Sequence, residues 1–155
     1  MKPPPTILLA EDDVDDLLLI QRSFQKARLV NPLQVVRDGE EAIRYLAGES
    51  PFSDRNRFPV PFLLLLDLKM PKQNGFDVLS WIQTRNDLAG MKVAVLTASS
   101  DERSYCKAMK LGADSYFIKP GSLDEFVRLM LRLQGHWALL DGDMSVPDGL
   151  LAQRR

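Results

Sequence analysis

The sequence predicts an α/β protein built on a parallel sheet with helices on both faces. Short apolar runs alternate with segments of helical periodicity five times along the chain. Two of the runs, residues 7–10 and 62–66, are apolar throughout and lack the polar alternation of a half-exposed strand, as expected for strands covered on both sides. Both end in acid: Glu11-Asp12-Asp13 follows the first and Asp67 the second. In open α/β sheets, chemistry collects at the carboxyl ends of the strands.

Residues 7–10 are the first strand. Residues 14–27 follow as a helix, with Leu17, Ile20, Phe24 and Ala27 on one face and Asp13 as N-cap. Residues 33–36 make a short second strand, Asp38-Gly39 turns the chain, and a helix over 40–47 ends at Gly48. The stretch 48–61 is polar and broken by proline, which predicts a long loop, read as a solvated insertion in preference to a partner-binding loop.

The third strand, 62–66, leads through Met70-Pro71 and Asn74-Gly75 to a helix over 75–86 with Phe76, Val78, Leu79 and Ile82 as its apolar face. Residues 92–96 form the fourth strand. A helix over 101–111 is closed by Gly112, and 115–118 is the fifth strand. Ser122 with Glu125 three residues later is a capping-box pattern that opens a last helix running toward Trp137. Domain limits are expected at 1–140, with 141–155 a tail and no separate output domain.

The chain has 155 residues, 45% hydrophobic and 26% charged, an ordinary composition for one globular domain. A net charge of -1 argues against a generally basic nucleic-acid binder. Cys106 is the sole cysteine, so no disulfide forms within the chain, and Cys and His are too few for a zinc site. Cys106 itself is expected in the core or half-buried. There is neither a signal-peptide pattern nor an apolar stretch of membrane-spanning length, and a cytoplasmic location is expected.

Right-handed crossovers over five parallel strands give the flavodoxin-like order 2-1-3-4-5 as the commonest solution. That order sets strands one and three side by side, so Glu11, Asp12 and Asp67 converge. Three crowded carboxylates repel one another unless a cation sits among them, and an all-oxygen donor set suits a hard divalent ion, with magnesium the natural choice. Strand four ends in Leu96-Thr97-Ala98 and strand five in Ile118-Lys119-Pro120. A carboxylate attacking a phosphoryl group needs a metal and a cation to neutralise the incoming oxygens, and neutral donors to orient them. It needs no general base, and the product is an aspartyl phosphate.

The ordered set Glu11-Asp12, Asp67, Thr97-Ala98 and Lys119-Pro120 resembles the receiver domain of bacterial two-component response regulators over residues 6–135. The resemblance implies that Asp67 is the phosphoacceptor, fed by the phosphohistidine of a sensor histidine kinase or by small phosphodonors. It also implies that Asp12 and Asp67 bind magnesium through carboxylates, Lys69 through its backbone carbonyl and Glu11 mainly through water. Thr97 and Lys119 would hold the phosphoryl oxygens, and Tyr116 matches the aromatic that turns inward on activation. Such a protein catalyses only its own phosphorylation and dephosphorylation, and its output is contact with a downstream protein through helix four, strand five and helix five. Homodimer formation is left open.

Within the family, the Glu-Asp-Asp opening, the long loop before strand three and the Trp137 region are loosely similar to single-domain regulators that serve phytochromes. Glu11 departs from the aspartate of many receivers. Lys69 and Ser99 flank the line along which water would attack the phosphoaspartate. Lys119–Pro120 is expected to be cis, so that the chain can reverse while Lys119 points back toward Asp67.

Two other readings compete. A haloacid-dehalogenase-type phosphatase also uses an aspartate after a buried strand, but it needs an acid two residues on, where this chain has Lys69. An unphosphorylated receiver-like interaction module would share the fold without the chemistry. A dinucleotide-binding domain is excluded by the acids that stand where a glycine-rich turn is required.

Overall fold

The computed structural model describes residues 3–137, so the tail expected at 141–155 lies outside the described residues. Five strands, β1 (Ile7–Ala10), β2 (Leu33–Val36), β3 (Leu63–Leu66), β4 (Lys92–Thr97) and β5 (Ser115–Ile118), form one parallel sheet in the order β2-β1-β3-β4-β5. The two unbroken apolar runs are interior strands, and every residue of β1 and β3 is buried. The edge strands β2 and β5 are mostly half-buried, consistent with their mixed sequences. Register fixes the active edge: Ala10 lies opposite both Val36 and Leu66, so the residues that follow β1 and β3 emerge level with each other.

The helices begin where their caps dictate. In α1 (Val14–Lys26) the Asp13 side chain accepts from Asp16 N, as expected. Asp38 proves to be the N-cap of α2 (Gly39–Ala47), which starts one residue earlier than the sequence suggested and closes on Gly48 at φ 73°. A complete Asn74–Asp77 capping box starts α3 (Gly75–Gln83). This helix stops short of residue 86, where the Thr84 hydroxyl donates to Trp81 O at 2.6 Å and a 3-10 turn over Asn86–Leu88 follows. Asp101 caps α4 (Glu102–Lys110), and Ser122 Oγ accepts from Glu125 N at 3.3 Å at the start of α5 (Leu123–Trp137).

The described chain forms two compact units. One holds Pro5–Asp12 and Leu33–Ile118, that is, the whole sheet with α2, α3 and α4. Its core runs from Leu8, Leu64 and Leu66 to Val78 and Leu79 of α3 and Tyr45 and Leu46 of α2. The other holds Asp13–Pro32 and the chain from Lys119, in which α1 and α5 pack together. Ile20 and Phe24 of α1 and Phe126, Met130 and Leu133 of α5 are buried. No helix among the described residues is long and apolar enough to cross a membrane.

Three expectations are corrected. The 48–61 loop is not a solvated insertion but is docked on α2. The Phe52 ring is buried at 5.1 Å from Tyr45 and 5.2 Å from Phe58, and Phe58 meets Tyr45 edge-on at 5.9 Å. The Arg55 guanidinium donates to Tyr45 O at 2.8 Å, Leu46 O at 2.9 Å and Phe58 O at 3.1 Å, and the Tyr45 hydroxyl donates to Pro59 O at 2.9 Å. Arg55 thus bonds carbonyls in the last turn of α2 and places its charge at the negative end of the helix dipole.

Cys106 is exposed. Ala108 is the buried residue of α4, and a position two residues away lies roughly 200° around the helix, facing solvent. Finally, Lys119–Pro120 is trans, the one cis bond among the described residues being Ser50–Pro51. The chain turns instead through the bend at Gly121 and Ser122.

Candidate phosphoacceptor and metal site

β1 and β3 deliver their acids by extending the sheet ladder one step. Glu11 N donates to Val36 O at 3.0 Å and Asp67 N to Ala10 O at 3.2 Å, which fixes where each side chain begins. Glu11, Asp12 and Asp67 come together as predicted, each with a carboxylate oxygen within 4.8 Å of the others. Glu11 is 1% exposed and Asp67 5%, while Asp12 is half-buried. Three negative charges this close and this dry call for a cation, and the all-oxygen set fits a hard divalent ion.

The loop after Asp67 is held tightly. Gly75 N donates to Leu68 O at 2.9 Å, and a Cβ on Gly75 would stand 2.5 Å from Asp67 O and 2.8 Å from Leu68 Cα. Only glycine lets α3 start this near to the Asp67 backbone. Lys69 N makes a long contact of 3.4 Å with Asp67 Oδ1, and its side chain is exposed.

Thr97, at the end of β4, is fully buried, and its Oγ1 accepts from Ser99 N at 3.2 Å. The Tyr116 hydroxyl donates to Ser99 O at 2.7 Å, and its ring packs edge-on against Tyr105 of α4 at 5.3 Å. Burial pushes the Tyr116 phenol up, with the negative charges of Asp101 and Asp67 adding to the effect. Thr97, Ser99 and Tyr116 are therefore linked bond by bond. An open cavity of about 460 Å³ lies beside this chain, lined by Lys69, Met70, Phe76, Ser99 and Ser104 among others.

Lys119 Nζ donates to Asp16 Oδ2 at 2.9 Å, with the lysine side chain 8% exposed. Asp16 was not among the residues the sequence singled out. An aspartate in the first turn of a helix is sufficiently explained by the helix dipole, and no local signal ties it to a lysine 103 positions away.

A parallel 2-1-3-4-5 sheet with a carboxylate triad after β1 and β3 defines a receiver of two-component signalling. Residues 7–131 match the response regulator receiver domain, and the chain belongs to that family. Receiver domains are chiefly signalling modules. The response regulator Rcp1 of Synechocystis sp. is 31% identical over 135 residues, covering 87% of this chain and 90% of that protein. The phosphorylated cyanobacterial phytochrome response regulator RcpA has 30% identity and a TM-score of 0.80 over 87% of this chain and 94% of its own. The Mn(2+)-bound form of Rcp1 has 29% identity and a TM-score of 0.77, covering 93% and 99%.

Proposed function

We propose that Asp67 is the phosphoacceptor of this receiver and that magnesium is its ion. The observation that carries the reading is the Glu11–Asp12–Asp67 cluster, two of its three carboxylates almost wholly removed from water at the ends of neighbouring strands. Asp67 attacks the phosphorus of a phosphohistidine as a carboxylate. The P–N bond breaks, the imidazole nitrogen keeps the electron pair, and no proton has to be taken from the nucleophile.

Asp12 and Asp67 would hold the ion through their carboxylates, Glu11 chiefly through water and Lys69 through its backbone carbonyl. Bound there, it supplies the positive charge that offsets the carboxylates and the incoming phosphoryl oxygens. Thr97 and Lys119 orient those oxygens, a role supported by their places in the ordered motif. Thr97 then draws on Ser99 and Tyr116, and the change reaches Tyr105 and Ile118, large apolar side chains exposed on α4 and β5. A downstream protein reads that surface. The protein works in the cytoplasm, and its kinase is a phytochrome-type sensor, the latter supported by the likeness to the phytochrome response regulator RcpA.

The test compares wild type with Asp67→Asn, each given a phosphorylated kinase and, separately, a small phosphodonor with magnesium. An alkali-labile acyl phosphate is expected in wild type alone. Stoichiometric acyl phosphate in Asp67→Asn rejects the assignment.

A further inference from the structure

The corner between β2 and α2 contributes no carboxylate to the cluster, yet it touches both loops that do. On one side, Arg37 Nη2 donates to the backbone carbonyl of Asp12 at 3.0 Å. On the other, Gly39 packs so closely on the β3–α3 loop that a Cβ there would fall 1.9 Å from Gln73 O. Lys72 of the same loop lies 3.7 Å from Asp38 and 3.8 Å from Glu40. The corner is itself well fixed: Arg37 N donates to Glu41 Oε1 at 2.7 Å, and Asp38 caps α2 through Glu41 N at 2.7 Å.

Asp12 needs such support. Glu11 and Asp67 are anchored by backbone bonds that extend the sheet, whereas Asp12 is the half-buried member, sitting where β1 gives way to the N-cap of α1. We infer that Arg37 is a positioning residue for the metal site, holding the Asp12 backbone so that its carboxylate is presented to the ion together with Asp67. This rests on the reading of the cluster as the metal site. The contact of the Arg37 guanidinium with the cluster is to the Asp12 backbone carbonyl and not to a carboxylate, so its effect runs through Asp12.

The sign of the effect separates positioning from simple electrostatics. Arg37 is a cation beside three carboxylates, and removing it would by charge alone tighten the binding of another cation. Loss of positioning does the opposite. Groups that orient metal ligands typically cost tenfold or more in affinity when removed, and an exposed one belongs at the low end of that range.

The experiment measures free Mn(2+) by electron paramagnetic resonance during titration of wild type, Arg37→Gln, Arg37→Lys and Asp12→Ala, with magnesium as competitor. Urea unfolding in chelator checks that the Arg37 variants keep wild-type stability, as a change at an exposed side chain should. Arg37→Gln is expected to bind roughly tenfold more weakly, and Arg37→Lys, which keeps the charge and one donor for the carbonyl, to recover most of the loss. Affinity in Arg37→Gln equal to or tighter than wild type overturns the inference and leaves the site intact. Wild-type affinity in Asp12→Ala instead overturns the site itself, and the inference with it.

Discussion

Gly75 shows how a residue without chemistry limits one that carries it. A methyl group at position 75 would meet the Asp67 carbonyl and Leu68 Cα, both backbone atoms that cannot swing aside as a flexible side chain would. Gly75→Ala must therefore move the loop that carries Asp67. It is expected to lose about 1–3 kcal/mol of stability in urea unfolding, and to bind divalent ions more weakly at a urea concentration where it is still folded. A variant matching wild type in both measurements would show that the loop yields at no cost.

The acids themselves were legible in the sequence because strand ends can be read from apolar runs, and Glu11, Asp12 and Asp67 lie at those ends. Asp16 and Arg37 were not legible. Each acts through a partner brought near by the fold, Lys119 in one case and the Asp12 carbonyl in the other. Cys106 was misjudged for a related reason: a small apolar residue on a short helix gives no sign of which face it occupies.

At the scale of elements, strands β1, β2 and β5 match the expected limits, and the helix starts fall within one residue of their caps. The 48–61 segment was misread because its polar composition conceals three anchors, Phe52, Arg55 and Phe58, whose partners lie on α2. Tyr45 is the centre of that docking, and burial pushes its phenol up to about 12, partly opposed by the Arg55 charge. The folded-state value exceeds the unfolded one, so this contribution is complete below about 10 and is lost as pH rises toward about 12. Over that window the unfolded chain releases the proton first, and stability falls with pH. Tyr45→Phe is expected to remove this part of the alkaline loss, on the order of 2 kcal/mol, in urea unfolding followed between pH 9 and 12. Parallel pH profiles for wild type and variant would place the ionisation elsewhere.

At the scale of the molecule, the proposed switch residues are nearly buried and the surfaces they lead to are not. Thr97 is closed to solvent and Ser99 nearly so, and the bonded path from them runs through Tyr116 to Tyr105, which is 36% exposed; on the proposed reading that path carries the signal. Receiver domains take part in signalling with histidine kinases, and the chain's only histidine, His136, lies on α5 and not beside Asp67 in the sequence. The proposed phytochrome-type kinase, supported by the likeness to RcpA, is tested by comparing kinases. Phosphotransfer from each purified histidine kinase of the source organism, followed over short times, ranks the candidates. The phytochrome-type kinase is expected to transfer at least tenfold faster than the others, a difference of about 1.4 kcal/mol in the barrier. Equal rates across all kinases, or faster transfer from a sensor of another type, would separate this receiver from the phytochrome group while leaving Asp67 as its acceptor.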